Sequence, residues 1–297
     1  MMKRAVTFTK HHTPNSVRVV ARRVMCETHN ARLRLSVPVE SRSEFGNIYH
    51  CTIRKTASQW VKALFNDPVV YRYSGLLPYD PRPYKWRYPQ ALPPNRVVSS
   101  LFMSYNGFMR LPKPDSYRAF FVLRDPRDIV VSGYFSYRSS HTAMGDIPQV
   151  RRVLREKPFK EGLLYVIDHL ANKGTFRSLR SWATAPSTEA VGLFRYEDLT
   201  GEQQADEVAR LMRHCGIPIP PSDLDALLSR YSFSRMRRGV ETAGSVSHYR
   251  KGESGDWRNH FDDDVYEAFV AAAGDLVEVL GYPPHEPSPR ARLGQDS

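Results

Sequence analysis

Cysteine is scarce in this chain and long apolar runs are missing. These two absences argue against several classes of protein. The three cysteines among 297 residues are widely spaced and form no Cys-x-x-Cys pair. The sequence therefore predicts neither a disulfide framework nor a zinc site and favours a reducing cytosol. No stretch approaches the roughly 18 apolar residues of a membrane-spanning helix, and the basic N-terminus lacks the apolar segment of a secretory signal peptide. We therefore expect a cytoplasmic protein.

Acidic residues are also few relative to basic ones. The chain has 31 Asp and Glu against 43 Lys and Arg, a net charge of +12. Such a surplus favours anionic partners, which include phosphates, nucleic acid and membrane surfaces. A nucleic-acid-binding protein more often shows a recognisable module. We therefore interpret the charge as a solvated face plus a phosphate site, and we expect no nucleic-acid partner.

Strand-type and helix-type segments alternate along the chain, which predicts an α/β fold with a doubly wound parallel sheet and helices on both faces. The expected strands are Ile48–Ile53, Arg96–Ser100, Arg118–Leu123 and Val191–Phe194. The expected helices are Ser58–Phe65, Arg127–Ser136, Leu163–Leu170, Lys173–Trp182, Glu202–Cys215, Ser222–Leu228 and Asp263–Val279. Because no linker or internal repeat is visible, we expect a single domain over residues 1–297.

Three segments of this domain have little regular pattern. Residues 1–45 are basic, and Val17–Met25 within them is typical of a short helix or strand. Residues 67–95 are rich in proline and aromatic side chains, which predicts a long ordered loop or lid without regular structure. Residues 283–297 form a polar, proline-containing tail.

The most informative stretch is an apolar strand-type run that ends at Arg124 and is followed by a helix-type run. Pro126 suits the first turn of a helix, because its fixed φ is helical and its missing N–H is not needed there. A helix start directly after a buried strand favours an anion site, which Arg124 and Ser132 could both reach. The alternative is an ordinary strand–helix junction in which Arg124 pairs with Asp125 and Asp128.

A second phosphate-type loop follows the first expected strand. Its amide groups could hold a phosphate with Lys55 projecting over it. The Walker pattern G-x-x-x-x-G-K-[ST] is absent, because both glycines are missing and the lysine precedes the small residues. This absence counts against an ATPase or kinase. Trp60, at the end of the loop, also fits simple core packing.

A third basic segment lies near the C-terminus. Arg250 and Lys251 are followed by Gly252 and Gly255, a pattern that predicts a flexible basic flap able to close over an anion. The alternative is an exposed basic turn. That alternative explains poorly why two other phosphate-type sites occur in the same chain.

Together these segments resemble the cytosolic-type sulfotransferases, which have a P-loop-like fold and use 3′-phosphoadenosine 5′-phosphosulfate (PAPS). Thr52–Trp60 overlays the family segment T-Y-P-K-S-G-T-T-W without a gap. Arg124–Ser132 matches R-[ND]-P-[KR]-D-x-x-x-S, and Arg250–Phe261 matches R-K-G-x-x-G-D-W-[KR]-x-x-F. Tyr196–Leu199 resembles Y-E-D-[ML], and Ser232–Arg237 resembles S-F-x-x-M-[KR].

The resemblance implies a role for each of the following residues. The 5′-phosphosulfate would be held by the loop residues Arg54, Lys55, Thr56, Ala57, Ser58 and Gln59. The adenine would be flanked by Trp60, Tyr196 and Phe233. The 3′-phosphate would be bound by Arg124, Ser132, Arg250, Lys251 and Gly252. Lys55 would also act in catalysis, by neutralising charge on the leaving 5′-phosphate oxygen, and no metal is required.

The chain departs from the family pattern at three places. In the loop, Arg54 replaces the usual proline and Ala57 the usual glycine, which narrows the backbone options there. The usual K-T-H, whose histidine is the general base, corresponds to a run that ends in Leu101. The C-terminal dimer motif K-x-x-x-T-V-x-x-x-E is not matched after Phe261, so dimerisation by that route is not expected.

The missing histidine leaves the general base open. Some related sulfotransferases use a carboxylate about 20–30 residues past the loop lysine. Asp67 and Asp80 are the only acids between Lys55 and Pro114, and Asp80 lies in the aromatic segment where an acceptor could sit. Our hypothesis is that Asp80 is the base, against a turn-forming role before a proline.

His141 is the second candidate for the base. The expected activity is sulfuryl transfer to a hydroxyl of a sugar, lipid or natural product. The alternatives are a PAPS- or nucleotide-binding protein without transfer activity, and a P-loop kinase-like phosphotransferase.

Overall fold

Five parallel strands form the centre of the molecule in the order β2-β3-β1-β4-β5. The computed structural model describes residues 15–81, 88, 90–141, 145–242 and 254–285, with side chains other than those of 15–19 and 239–242. The strands are β1 Asn47–Thr52, β2 Leu77–Tyr79, β3 Arg96–Phe102, β4 Tyr117–Leu123 and β5 Val191–Arg195. The predicted parallel α/β fold is confirmed.

Helices cover both faces of this sheet. They are α1 Asn15–Ser36, α2 Ser58–Phe65, α3 Pro68–Arg72, α4 Tyr105–Met109, α5 Pro126–Phe135, α6 Ile147–Glu156, α7 Phe159–Asn172, α8 Thr175–Ala183, α9 Tyr196–Thr200, α10 Gln204–His214, α11 Pro221–Arg230, α12 Phe233–Thr242, α13 Asp263–Ala273 and α14 Leu276–Val279. A π-helical turn, Ser136–Ser140, continues α5, and a 3-10 turn spans Asp256–Asn259. In the part of the chain that is described, none of the helices has the length and apolar character needed to cross a bilayer.

The two faces of the sheet carry two apolar cores because side chains alternate along a strand. In β1, Ile48 packs in the core that contains α2 and α10, whereas Tyr49 packs in the core that contains α5, α7 and α8. All six residues of β1 are buried. Burial on both faces is typical of the central strand of a parallel sheet.

The order of the strands fixes where a ligand can bind. The chain leaves β1 towards β3 and β2, but leaves β4 in the opposite direction, towards β5. Between β1 and β4 the connections therefore diverge at the carboxyl ends of the strands. A crevice at such a switch point is the general binding position in open α/β sheets.

One expectation about local structure is wrong, and another gave a correct type of element over too short a range. Residues 67–95 are not devoid of regular structure, since they include α3 and β2. Pro68 is compatible with a helix because it occupies the first turn, and Asp67 caps that turn by accepting the Val69 N–H at 2.9 Å. Val17–Met25, expected as a short helix or strand, is helical but belongs to the 22-residue helix α1. The protein-facing side of α1 includes the polar His29 and Asn30 and gave little periodic signal.

Candidate functional site

The loop that follows β1 has a backbone conformation suited to anion binding. Lys55 and Ala57 have φ of 74° and 56°, in the left-handed region, and loops with left-handed residues form concavities lined by N–H groups. The Thr52 and Thr56 hydroxyls lie 2.9 Å apart and each donates to the Ile53 carbonyl. The Thr56 side chain is therefore used to stabilise the loop, and only the Thr56 backbone amide can bind a ligand.

Helix α2 begins directly after this loop. Ser58, its first residue, is buried, Gln59 is exposed, and Trp60 is buried. The Trp60 indole donates to the Tyr231 carbonyl at 3.0 Å, two residues before Phe233, which is 36% exposed at the start of α12. The sheet thus brings the loop after β1 close to the segment that precedes α12.

Arg124, at the end of β4, connects three loops of the carboxyl edge. Its Nη1 donates to the Lys55 carbonyl at 2.9 Å, and its guanidinium lies 4.1 Å from the ring centroid of Tyr196, which follows β5. Arg124 is only 9% exposed. Its Nε is buried and has no hydrogen-bond partner within the described part of the chain. A buried donor of this kind is costly unless a ligand accepts from it.

The pairing of Arg124 with the two neighbouring aspartates is not what the structure shows. Asp125 caps α5 and binds the side chain of Arg127 at 3.0 and 2.8 Å. Arg127 is fully buried and lies 3.7 Å from the ring centroid of Trp257. Asp128 accepts two backbone amides instead. Arg124 thus remains directed at the loop after β1.

Asp128 anchors the described end of the third basic segment. It accepts the Gly255 N–H at 2.7 Å and the Trp257 N–H at 2.9 Å. Burial raises the pKa of Asp128, against the opposing effects of Arg124 and the two amides. Gly255 has φ of 80°, a conformation that favours glycine. The predicted ligands Arg250, Lys251 and Gly252 lie outside the described residues.

Glu197, in helix α9 directly after β5, supports the same region. Its carboxylate accepts the Asp125 N–H at 3.2 Å and the Tyr282 hydroxyl at 2.8 Å. Burial raises the pKa of Glu197 and also that of Tyr282. Sequence reasoning assigned no role to Asp128 or Glu197, although both lie inside the quoted motifs. Both acids lie near a predicted binding residue, at a junction where a buried strand meets a helix. This position in the sequence could have identified them as supporting residues.

The comparisons with known proteins agree with this geometry. Residues 90–279, which are more than half of the chain, match the family model described as the sulfotransferase domain. The chain belongs to the sulfotransferase family. The loop after β1 lies before the matched region, so its role rests on the geometry and on the resemblance given above.

The curated relatives of this chain are sulfotransferases, and two of them are named for hydroxysteroids. A 3-alpha-hydroxysteroid sulfotransferase of Cavia porcellus is 26% identical over 215 residues, covering 69% of this chain and 66% of the relative. Sulfotransferase 2A1 of Rattus norvegicus is 26% identical over 177 residues, covering 56% of this chain and 58% of the relative. The chain thus spans less than two thirds of the length of these relatives.

Solved structures share the fold of this sulfotransferase. A mouse sulfotransferase, SULT7A1, complexed with 3′-phosphoadenosine 5′-phosphate (PAP) has a TM-score of 0.55 at 16% identity, covering 85% of this chain and 90% of that chain. A retinol dehydratase in a complex with retinol and PAP has a TM-score of 0.51 at 16% identity, covering 81% and 83%. At this identity the likeness concerns the fold alone.

The remaining predicted residues of the sulfotransferase lie around the same edge. Ser132 is half-buried on α5, eight residues after Arg124. The Arg54 guanidinium hydrogen-bonds the Tyr137 hydroxyl, and this contact opposes the rise that burial causes in the pKa of that hydroxyl. His141 ends the π-helical turn after α5, with its ring centroid 5.4 Å from that of Tyr137.

The two positions connected with the general base have distinct surroundings. Asp80 directly follows β2 and accepts a hydrogen bond from Lys62 of α2 at 2.6 Å. Leu101 is fully buried in β3, paired with Cys51, next to a bulge in which Ser100 has φ of 66°. The Leu101 side chain belongs to the core, so this position supplies no polar group to the edge of the sheet.

Proposed function

We propose that this sulfotransferase moves the sulfuryl group of PAPS to an acceptor hydroxyl. The observation that carries the proposal is the contact of Arg124 with the Lys55 carbonyl, which joins two phosphate-type loops across the switch point of the sheet. A donor with phosphate groups at both the 5′ and 3′ positions needs two such anion sites side by side. The PAP-containing neighbours with the same fold support this donor.

The residues present fit the two ends of the donor. Lys55, the amides of Thr56–Gln59 and the Ser58 hydroxyl would hold the 5′-phosphosulfate, with Arg54 and Ala57 shaping that loop. The buried Nε of Arg124, which has no acceptor among the described residues, supports a role for Arg124 at the 3′-phosphate. Ser132 and the flap residues Arg250, Lys251 and Gly252 complete that end of the proposed site.

The adenine ring would lie against the aromatic residues of the same edge. Trp60 and Tyr196 are largely buried, whereas Phe233 is partly exposed and therefore accessible to a ligand. The contact between the Trp60 indole and the Tyr231 carbonyl supports the position of Phe233 beside the same crevice.

The proposed chemistry is an in-line displacement at sulfur. A bond forms between the acceptor oxygen and sulfur while the bond between sulfur and the 5′-phosphate oxygen breaks, which leaves 3′-phosphoadenosine 5′-phosphate (PAP). The acceptor proton passes to a general base, and Lys55 neutralises the charge that develops on the leaving oxygen. As in phosphoryl transfer, the protein contributes mainly positioning and charge stabilisation.

Asp80 is the proposed base, and its contact with Lys62 has a consequence. One carboxylate oxygen is engaged by the ammonium group at 2.6 Å, so proton abstraction requires the other oxygen or a movement of Lys62. The ion pair between Asp80 and Lys62 and the buried Leu101 both leave the site without an obvious general base. They favour a second candidate function, that of a PAPS-binding protein without sulfuryl transfer. His141 is the reserve candidate for the base.

For the acceptor we propose an apolar molecule with a hydroxyl group, since the relatives are named for hydroxysteroids. A sugar or natural product would fit the same chemistry. The proposed site of action is the cytoplasm, consistent with three unpaired cysteines.

The proposal is tested by following sulfur from labelled PAPS into a set of hydroxylated sterols, phenols and sugars. We expect transfer to at least one class, and loss of transfer in Lys55→Ala with the fold intact. Tight PAP binding without transfer to any acceptor would support the binding-protein alternative. Phosphate transfer from ATP would contradict both.

A further inference from the structure

Helix α1 carries an unusual share of the exposed apolar surface. Four of the eight large hydrophobic residues that are exposed in the described part of the chain lie on it. They are Val20, Val24, Met25 and Leu35, with exposed fractions of 61%, 58%, 70% and 86%. Val20 and Val24 are one turn apart, and Leu35 returns to the same side of the helix three turns after Val24. Val20, Val24 and Leu35 form what we call the apolar stripe of α1, and Met25 lies to one side of it.

The opposite side of α1 holds the helix on the sheet. Cys26 and Asn30 donate to the Pro78 carbonyl of β2 at 3.4 and 3.1 Å, and Leu33 packs on Leu77. The apolar stripe is therefore not the face that attaches α1 to the protein.

These contacts also give the direction of α1. Leu33 lies at the start of β2, whereas Cys26 lies by its end, close enough to the Asp80 amide for a hydrogen bond. The helix thus runs antiparallel to β2. Val20 is six residues before Cys26, which places it roughly 9 Å further along the helix axis. Since β2 ends level with Tyr49, three residues before the end of β1, this distance brings the start of the stripe to about the level of the carboxyl edge of the sheet, the edge that carries Lys55 and Arg124.

The charge around the stripe is almost entirely positive. Helix α1 contains five arginines and one acid, Glu27. Arg23 and Arg34 are exposed and lie on one border of the stripe, three turns apart, together with Glu27. The exposed Arg32 lies on the other border. An apolar stripe bordered by arginines on both sides is the pattern of a helix that lies in a membrane interface.

We propose that α1 binds the surface of an anionic lipid bilayer, with the apolar stripe in the acyl boundary and the arginines at the headgroups. Charge decides between this occupant and a second copy of the chain. Two α1 helices would bring arginine-rich borders together, whereas anionic headgroups neutralise them. The bound helix lies in the plane of the interface, and because it runs antiparallel to β2, the strands of the sheet then lie roughly parallel to the lipid surface. The proposal does not depend on the function proposed above.

The experiment is co-sedimentation of the full chain with vesicles of phosphatidylcholine alone and of phosphatidylcholine mixed with phosphatidylserine. We expect binding to the mixed vesicles and little binding to phosphatidylcholine. Arg23→Gln with Arg34→Gln should weaken binding roughly 25-fold, about fivefold for each arginine. The matched control is Arg152→Gln with Arg155→Gln, which removes two exposed arginines of α6 and should change little.

A second pair of variants tests the stripe without changing charge. Val20→Ser with Val24→Ser should weaken binding to mixed vesicles about tenfold, whereas Val270→Ser, at an exposed valine of α13, should not. PAP affinity should be the same in all of these variants, which separates lipid binding from donor binding. Equal binding of stripe and control variants, equal binding to both vesicle types, or a dimer that the stripe variant dissociates in place of vesicle binding would overturn the proposal.

Discussion

Arg124 donates its Nη1–H to the carbonyl oxygen of Lys55 at 2.9 Å. The two residues are 69 positions apart in the sequence, and the contact joins the loop after β4 to the loop after β1. It uses one corner of the guanidinium fork and leaves Nε buried without an acceptor among the described residues. The Nε–H of Arg124 is therefore available to an anion held between the two loops.

Replacing Arg124 should remove the preference for a 3′-phosphate. Arg124→Ala should weaken PAP binding roughly 100-fold, about 3 kcal/mol, because a buried phosphate loses its charged partner. The affinity for AMP, which lacks that phosphate, should change little in titration calorimetry. Arg118→Ala is the matched control, since Arg118 stacks at 4.0 Å on Phe45 near the other end of β4. Equal losses for PAP and AMP would contradict the assignment.

Ala57→Gly should stabilise the protein. Ala57 has φ of 56°, and a left-handed conformation costs a residue with a Cβ roughly 1–2 kcal/mol. Glycine relieves this strain, although its greater freedom in the unfolded chain offsets part of the gain. We expect the free energy of unfolding in urea to rise by about 1 kcal/mol. A decrease would show that the loop does not hold strain at this position.

Asp128→Ala should impair donor binding as well as stability. The substitution leaves the amides of Gly255 and Trp257 without their acceptor, which should cost about 2 kcal/mol of folding free energy. Asp262→Ala is the control, because Asp262 also accepts a backbone amide, that of Val265 at 3.0 Å. Both variants should unfold at a lower urea concentration than the wild type. Only Asp128→Ala should lower the ratio of PAP affinity to AMP affinity. The same ratio in both would limit Asp128 to a structural role.

Asp80→Asn should abolish turnover and leave PAP affinity intact. The amide keeps the size of the carboxylate but cannot take the acceptor proton. Asp67→Asn is the control, since it is the other acid between Lys55 and Pro114 and is paired with Arg230 at 3.0 Å. The measurement is the turnover rate of each variant at saturating PAPS. Unchanged turnover in Asp80→Asn would reject Asp80 as the base and direct attention to His141.

His50 makes stability depend on pH. Burial lowers the pKa of His50 to about 3 in the folded protein, from 6.5 in the unfolded chain. The unfolded chain thus binds a proton as pH falls below 6.5 while the folded protein does not, so the free energy of unfolding decreases. Between about pH 7.5 and 5.5 it should fall roughly 1.4 kcal/mol further in the wild type than in His50→Leu. Parallel pH curves from urea melts would contradict this.

Local structure at the site was largely predictable from the sequence, whereas side-chain partners were not. The bounds of α2 and most of β1 and β4 follow from apolar runs and from the helix-compatible Pro126. By contrast, Asp128 accepts amides from the segment near Trp257, and Arg127 packs on the Trp257 ring. No local pattern specifies a contact across more than 120 residues.

Two parts of the fold escaped sequence reasoning for a physical reason. The strand β2 has three residues with a proline among them, too short for alternation to be recognised, and it is an edge strand, where proline is tolerated. The helix α1 buries mainly Asn30 and Leu33, so its apolar residues lie on the side that faces away from the sheet. Both β2 and α1 lie next to Asp80, the proposed general base.

The central claim is that the edge between β1 and β4 binds a nucleotide with a 3′-phosphate. Titration calorimetry of the full chain with PAP, AMP and ATP tests it most directly. The account predicts that PAP binds about 100-fold more tightly than AMP or ATP, because a site built for two anions keeps unpaired buried charge when one is missing. Equal affinity for PAP and AMP, or a preference for ATP, would contradict it.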